Sequence, residues 1–386
     1  MSYPFITSNE QFKQACDEAR KQPVVGLDTE FVWTKTYYPQ LGLIQLGWDT
    51  DHCFLLDPIA VTDTTPLGEL LSDANVLKVF HEASSDLPIL MRWCNHALIP
   101  HRIADTRIAA GFAGLTASLS LAKLILKQLQ VVLTKTETRT NWLQRPLTPA
   151  QLEYAGEDVT HLPALFASLE ALMKEYGNDG FFYEEMAKYE QPSFYEEIPP
   201  MDYWQRVSRP AYLKFTHQDY AILQQLAAWR EDLGRTKNIT RNRIVPDKIL
   251  ALAAVKHPYT AEEAGNLEGM RNTPSMRYAK ELAEIVSNSM HIPKEQWPPL
   301  FMPTVDQRLM RQCSERILAL AQKRAEARHI DPILLATRKD ADSLAVHAIN
   351  REDLSGNTLM RGWRHQLLTP TIESACADFP RLKKKK

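Results

Sequence analysis

The sequence lacks a long apolar run. No stretch approaches the ~20 consecutive apolar residues that a transmembrane helix needs, so we expect no membrane-spanning segment. Residues 1–10 do not contain the basic stretch followed by an apolar one that marks a secretory signal. We therefore expect a cytoplasmic location.

Cysteine is scarce and scattered. The five cysteines are odd in number, and no two of them form a C-x-x-C pair. This distribution argues against a disulfide framework and against a zinc site. We expect the thiols to be reduced and mostly buried.

What is present is typical of a multidomain globular protein. Hydrophobic residues make up 44% and charged residues 24% of the chain, as in ordinary globular proteins. A chain of 386 residues is too long for one ordinary core, so two or three domains are expected.

The net charge of −2 hides an asymmetry between the two parts of the chain. Through residue 200 there are 15 Lys and Arg against 26 Asp and Glu, whereas afterwards there are 30 against 21. Opposite charge in two halves indicates separate tasks. The acidic half suits cation binding, and the basic half suits a polyanion such as nucleic acid.

Residues 24–31 are predicted to form a buried strand, because they are mostly β-branched and apolar. The two-residue period of a strand places Asp28 and Glu30 on one face. Two neighbouring carboxylates near a core repel each other, and a bound divalent cation is the commonest way in which proteins neutralise this repulsion. Capping of a neighbouring element or pairing with arginine stays open as the alternative, so the prediction depends on further acids.

A third acid, Asp86, belongs to a second candidate segment and follows a predicted strand at 76–80. We expect it at the start of a helix over 87–93, because Pro88 suits a first helical turn. Asp is common as a helix cap, but open α/β sheets also place ligands beyond the carboxyl ends of their strands. Residues 103–113 are predicted to form the next helix.

A third site lies on a helix that is predicted to begin at Thr148. Pro149 at the first position and Gln151 at the third complete a capping box. Tyr154 and Asp158, four residues apart, share one face of this helix. The pair alone is weak evidence, because an Asp beside an apolar stripe is usually solvated.

Together these segments resemble, in order and context, the three exonuclease motifs of the DEDD superfamily, tyrosine subtype. The motifs are Asp28-Thr29-Glu30, residues 81–86 and Tyr154-x-x-x-Asp158. Other segments resemble the ribonuclease D family in particular. They are residues 37–41, 43–46 and 142–148. The resemblance covers essentially the whole chain.

The resemblance implies an α/β ribonuclease-H-like exonuclease domain, with a mixed sheet flanked by helices, followed by two all-α helical-bundle domains. The first bundle resembles the helicase-and-ribonuclease-D C-terminal (HRDC) domain through residues 229–231 and 244–247. The expected bounds are 1–190 for the exonuclease domain, 191–210 for a linker, 211–291 for the first HRDC domain, 292–378 for a second, diverged HRDC-like domain and 379–386 for a basic tail.

For the site, the resemblance implies two divalent cations, Mg²⁺ or Mn²⁺, which suit an all-carboxylate donor set. The ligands would be Asp28, Glu30, Asp86 and Asp158. Tyr154 would orient the attacking water, because a phenol with a pKa of ~10 is a poor base unaided. His161 could be mistaken for the general-base histidine of the sister subtype, but the spacing favours Tyr154.

We expect RNA contacts in both halves. In the exonuclease domain the candidates are Phe31, Gln45, His81, Arg139 and Trp142. His81 has the alternative of a plain hydrogen bond to the backbone. In the helical region a helix over 216–233 is predicted to end in a basic turn, 234–243. Its candidates are Arg235, Lys237, Arg241 and Arg243, with ordinary solvated charges as the alternative.

The function implied is a metal-dependent 3′-to-5′ exoribonuclease that releases nucleoside 5′-monophosphates and trims 3′ ends of tRNA precursors and other structured RNAs. RNA is the expected partner, and no obligate protein partner is evident. A DNA exonuclease is the first alternative, since only contacts to the 2′-hydroxyl distinguish the two. The second is a noncatalytic RNA-binding scaffold, which the four filled acidic positions oppose.

Overall fold

A computed structural model describes residues 3–133, 140–299, 305–369 and 371–379. Contacts divide the chain into two compact units. Unit 1 comprises Met1–Phe31, Leu41–Tyr195 and Pro303–Lys386, and unit 2 comprises Val32–Gln40 and Glu196–Met302. A short segment between two strands of unit 1 therefore belongs to unit 2.

Unit 1 contains a six-stranded mixed sheet with the strand order β1-β4-β3-β2-β5-β6. The strands are β1 (Phe5–Ile6), β2 (Val24–Val32), β3 (Gln40–Gly47), β4 (Cys53–Leu56), β5 (Leu77–Phe80) and β6 (Ile103–Asp105). Strands β3 and β4 pair antiparallel, whereas β1 with β4, β2 with β5, and β5 with β6 pair parallel. Strand β2 is thus an interior strand of the sheet.

Helices account for most of the remaining regular structure. Those before residue 196 are α1 (Asn9–Ala19), α2 (Thr65–Ser72), α3 (Ala83–Trp93), α4 (Thr106–Phe112), α5 (Leu121–Leu129), α6 (Pro149–Thr160), α7 (Leu162–Tyr176), α8 (Asp179–Met186) and α9 (Pro192–Tyr195). Those of unit 2 are α10 (His217–Lys237), α11 (Arg241–Ile244), α12 (Asp247–Lys256), α13 (Ala261–Gly265) and α14 (Ala279–Ser289). Unit 1 resumes with α15 (Gln307–Glu326), α16 (Pro332–Leu335), α17 (Arg338–Asn350), α18 (Gly362–Leu368) and α19 (Thr371–Ala377).

Five short 3₁₀ segments complete the regular structure of the described residues. They are Ala187–Glu190, Pro200–Arg206, Pro274–Tyr278, Lys294–Gln296 and Thr358–Met360. No helix in the described ranges has both the length and the apolar character that crossing a bilayer needs.

Close packing of α6 on the sheet depends on Gly26 of β2. A Cβ at this position would lie 2.6 Å from the carbonyl oxygen of Val159 and 3.0 Å from Cβ of Leu162. Only glycine lets the end of α6 approach the strand so closely. Because Gly26 is two residues before Asp28, this contact places the last turn of α6 beside the acidic part of β2.

The start of α6 agrees with the prediction from the sequence. The Thr148 hydroxyl accepts a hydrogen bond from the Gln151 amide at 3.2 Å, and the Gln151 side chain accepts one from the Thr148 amide at 2.9 Å. This capping box satisfies two backbone donors that would otherwise be unpaired. The register of Tyr154 and Asp158 is therefore set by the helix start.

Two elements of unit 1 differ from the predictions. Residues 103–105 form a strand that pairs with β5 and precedes α4, whereas a continuous helix over 103–113 was expected. Helix α3 begins at Ala83, four residues before the expected start at Leu87. Asp105 ends β6 and accepts hydrogen bonds from the backbone amides of Glu82 and Ala83, so the start of α3 is tied to the end of that strand.

In unit 2, the helices enclose their own apolar core. Leu223 and Leu226 of α10, Leu250 of α12 and Leu282 of α14 are fully buried in it. Burial of such side chains stabilises each by roughly 1.5–3 kcal/mol. The segment from α10 to α14 is therefore a compact helical bundle.

The C-terminal helices of unit 1 pack against its earlier part. The Trp363 amide donates to Glu184 at 2.7 Å and its indole N–H donates to Glu185 at 3.0 Å. Arg364 also binds Glu185, at 2.8 Å. The boundaries expected at residues 190, 210, 291 and 378 stay predictions.

Candidate active site

Asp28 and Glu30 lie on β2, and their electrostatics show which other acids face them. The pKa of the Asp28 carboxyl is raised well above its usual value, first by burial and then by repulsion from Asp86, Asp158 and Glu30. Burial and then the charges of Asp158 and Asp86 raise the pKa of Glu30 to about 8. Since repulsion of this kind requires proximity, the structure brings the four acids of the three motifs together.

Asp86 lies in the first turn of α3 and is fixed to β2 by a hydrogen bond. The hydroxyl of Thr29 donates to its Oδ1. Burial is the largest cause of a raised pKa at Asp86, and the bonds from Thr29 oppose it because they favour the charged form. Thr29 therefore connects the second motif to the first.

Asp105 has a positioning role that the sequence did not reveal. It is buried and accepts from the amides of Glu82 at 3.1 Å, Ala83 at 3.0 Å and Arg107 at 2.9 Å. These bonds anchor the start of α3, three residues before Asp86. The only signal in the sequence was an Asp at the predicted start of a helix, which is common at caps without any relation to a site.

Tyr154 and Asp158 are joined on α6, as their spacing predicted. The two side chains are hydrogen-bonded, and burial, followed by the charges of Asp158, Glu30 and Asp28, raises the pKa of the Tyr154 phenol. The phenol therefore keeps its proton at neutral pH. The ring of Trp142 lies beside that of Tyr154, with 6.2 Å between centroids.

The chemistry of the donor set fits hard divalent cations. The four acids supply only carboxylate oxygens, the ligands that Mg²⁺ and Mn²⁺ prefer. In the described ranges, however, no group of three or more His, Cys, Asp or Glu side chains is already arranged to hold a metal ion. The acids thus form a mutually repelling group, and bound cations would relieve that repulsion.

The other residues expected to contact RNA in unit 1 have varied environments. Gln45 is fully buried, and neither atom of its side-chain amide has a hydrogen-bond partner in the described part of the chain. Nδ1 of His81 lies 2.9 Å from the Thr106 hydroxyl, and burial lowers the pKa of this imidazole to about 4. Trp142 is buried and Phe31 is half-buried. Arg139 lies outside the described residues.

The basic segment of unit 2 differs from the predicted turn. Helix α10 continues to Lys237 and includes Arg235, and α11 begins at Arg241. Arg241 binds Glu231, and Arg235 binds Glu197 at 3.0 Å. Lys237 and Arg243 are exposed. RNA contacts by these residues stay predictions.

Comparison with known proteins shows the family to which the chain belongs. Residues 3–174 match the family described as 3′-5′ exonuclease, and residues 219–286 match the HRDC domain. Ribonuclease D of Desulfotalea psychrophila (strain LSv54 / DSM 12343) is 33% identical over 369 residues, covering 94% of this chain and 96% of the relative. Ribonuclease D of Escherichia coli (strain K12) is 32% identical over 383 residues, covering 98% and 100%.

A solved structure resembles the whole chain. The crystal structure of Escherichia coli RNase D, described as an exoribonuclease involved in structured RNA processing, matches with a TM-score of 0.86 and 31% identity, covering 99% of this chain and 100% of that chain. This likeness confirms the fold class expected from the sequence. With its three motifs brought together in unit 1 and an HRDC domain in unit 2, the chain belongs to the ribonuclease D family of 3′-5′ exoribonucleases.

Proposed function

We propose that this protein removes nucleotides one at a time from the 3′ end of RNA, releases them as nucleoside 5′-monophosphates, and trims tRNA precursors and other structured RNAs. In each cycle a water oxygen bonds to the last phosphorus, the bond from that phosphorus to the 3′ oxygen breaks, and the 3′ oxygen takes up a proton.

One observation carries this proposal: beyond the effect of burial, acids from separate segments raise the pKa values of Asp28 and Glu30 on β2. Asp28 is influenced by Asp86, Asp158 and Glu30 together. A buried group of like charges costs free energy in the folded state. Such a cost is typical of a site that binds cations or performs chemistry rather than of a stabilising core.

The ribonuclease D type of exonuclease depends on divalent metal, and the carboxylates here would hold two ions, Mg²⁺ or Mn²⁺. The ligands would be Asp28, Glu30, Asp86 and Asp158. When bound, the cations would lower the pKa of the attacking water and neutralise charge on the phosphate and the leaving oxygen. Thr29 contributes indirectly, because its hydroxyl fixes the orientation of Asp86.

Tyr154 would position the attacking water. Its phenol keeps its proton, is bonded to Asp158 and lies near Glu30 and Asp28. The phenol oxygen retains lone pairs that can accept a hydrogen bond from a water molecule. Tyr154 therefore orients the nucleophile without removing its proton.

Unit 2 would hold the RNA, as its match to the HRDC domain suggests. The exposed side chains of Lys237 and Arg243 suit contacts with phosphates, which are mainly electrostatic. No obligate protein partner is proposed, and a cytoplasmic location is the expected one.

Three matched substrates test the proposal: a single-stranded RNA, a DNA of the same sequence and a tRNA precursor with a 3′ extension. Each is 5′-labelled and incubated with Mg²⁺, with Mn²⁺ or with EDTA. We expect metal-dependent shortening of both RNAs from the 3′ end with 5′-monophosphate products. Preferred degradation of DNA would favour the DNA exonuclease, and binding without hydrolysis in either metal would favour the noncatalytic scaffold.

A further inference from the structure

The loop between β2 and β3 presents a single exposed indole. All eight tryptophans fall in described residues, and Trp33 alone among them is exposed, with 58% of its surface accessible. An aromatic side chain of this size normally buries most of its area. Trp33 directly follows β2, which ends at Val32.

The indole is held in place although it is exposed. Its N–H donates a hydrogen bond to the carbonyl oxygen of Tyr37 at 3.0 Å. The donor at the edge of the ring is thus satisfied within the protein. In the part of the chain that the structure describes, no other aromatic ring and no cationic group lies against the ring face of Trp33.

Tyr37 is itself held firmly inside unit 2. Its phenol donates to Glu231 and accepts from Nη2 of Arg241 at 2.9 Å. The guanidinium carbon of Arg241 lies 4.7 Å from the centroid of the Tyr37 ring. A support of this kind fixes the Tyr37 carbonyl, so the indole that binds it has little conformational freedom left to lose on binding a ligand.

The neighbouring charge on this loop is positive. Lys35 is exposed, and the described residues include no acidic partner for it. An aromatic surface beside a free ammonium group is the combination that binds single-stranded nucleic acid, by base stacking and phosphate attraction. A single exposed apolar residue is ordinary on protein surfaces, but a tryptophan whose polar edge is already bound inside the protein presents mainly its π surface.

The covalent chain limits how far Trp33 lies from the catalytic strand. Three residues of extended chain, from Glu30 to Trp33, span at most about 10 Å. Stacked nucleotides are spaced by ~3.4 Å along a strand. The Cα atom of Trp33 is therefore within about three nucleotide spacings of the Cα atom of Glu30.

We propose that Trp33 is a stacking platform for a nucleobase of the RNA substrate, within the last few nucleotides of its 3′ end. This inference rests on the proposed function, since it assumes that the 3′ end of RNA reaches the acids of β2. Stacking is tolerant of sequence because every base has a π face. The platform would thus add affinity for single strands without selecting a particular base.

Binding of a short single-stranded RNA to the full-length protein in EDTA, followed by fluorescence anisotropy, tests this first. Stacking on an aromatic residue contributes about 1–3 kcal/mol per base, so Trp33→Ala should weaken binding about 5- to 150-fold. Trp33→Phe should recover most of the loss. Tyr183→Ala is the control, because Tyr183 is an exposed aromatic of unit 1, at 39%, and it should bind as the wild type does.

A second measurement identifies the stacked base. A set of oligomers carries one abasic nucleotide at each of the last five positions, and hydrolysis is measured in Mg²⁺ with wild type and Trp33→Ala. At one position the abasic change should raise the KM of the wild type and leave that of the variant unchanged, with kcat the same. If no position shows this coupling, or if Trp33→Ala binds RNA normally, the proposal that Trp33 stacks on a nucleobase is wrong. Absence of RNA hydrolysis by the wild type would instead refute the proposed function.

Discussion

Arg241 and Glu231 form a two-point ion pair within unit 2. Nε of Arg241 lies 2.6 Å from Oε2 of Glu231, and its Nη2 lies 2.8 Å from Oε1. Glu231 is fully buried, and the phenol of Tyr37 also donates to it. The pair therefore fixes the loop that carries Trp33, in addition to stabilising the bundle.

Substitution of Glu231 tests how much its ion pair with Arg241 contributes to stability. Glu231→Gln removes the counter-charge of Arg241, whose side chain is 34% exposed, so the cost is about 1–3 kcal/mol, that of weakened hydrogen bonds to a charged group. We expect the free energy of unfolding of unit 2, measured with urea, to fall by about that amount. Glu268→Gln is the control, because Glu268 pairs with Lys248 at the surface, where ion pairs contribute little. Equal effects of the two changes would contradict the assigned importance of Glu231.

The role of Asp105 can be tested with a substitution of nearly the same shape. In Asp105→Asn an NH₂ group replaces one of the two acceptor oxygens and faces a backbone N–H at the start of α3. A buried donor left unpaired costs about 1–3 kcal/mol. Urea unfolding should show this loss, whereas Asp63→Asn, at an exposed Asp that accepts from Thr65, should change stability little. A neutral effect of Asp105→Asn would show that α3 is anchored by other contacts.

Removal of the phenol oxygen tests whether Tyr154 orients the attacking water. Tyr154→Phe keeps the ring beside Trp142 but removes the phenol that would orient the water. We expect kcat on a short RNA to fall about 10²-fold, as for other groups that position a reacting proton or water, with little change in KM. The measurement is steady-state kinetics in Mg²⁺. A rise in KM with unchanged kcat would mean that Tyr154 binds RNA instead.

The raised pKa of Glu30 predicts how the stability of the folded protein depends on pH. In the folded, metal-free protein this carboxyl has a pKa of about 8 instead of 4.5, so the folded state retains a proton that the unfolded state releases. The contribution of Glu30 to stability should therefore decrease as pH rises between these two values. Urea unfolding in EDTA at about pH 5 and about pH 8 should show that Glu30→Gln gains stability relative to wild type at the higher pH. A difference that is constant, or that changes in the opposite direction, would contradict the burial and repulsion described for Glu30.

Local periodicity in the sequence was sufficient to predict which motif residues share a face. It was not sufficient to predict the residues that hold the motifs in place. Asp28 and Glu30 share a face because of the two-residue period of a strand, and Tyr154 and Asp158 pair because of the helical period. Both relationships depend on neighbours in sequence. Asp105 holds the start of α3 across 22 residues or more, and no local pattern reveals such a bond.

Gly234 is a glycine whose role depends on a residue far away in the sequence. The predicted basic turn began at this residue, yet α10 continues through it to Lys237. A Cβ at this position would lie 3.0 Å from Cδ2 of Tyr37. The glycine therefore makes room for a tyrosine almost 200 residues away, and it does not end the helix.

The proposed metal-dependent hydrolysis requires four acids from separate motifs to act together. Asp28→Asn tests it most directly, because the variant keeps the size of the side chain but removes a proposed cation ligand that makes no phosphate contact. Hydrolysis of 5′-labelled RNA in Mg²⁺ and binding of the same RNA in EDTA are measured in parallel. We predict that hydrolysis is abolished while binding stays close to that of the wild type, and turnover at the wild-type rate would show that Asp28 is not required for hydrolysis.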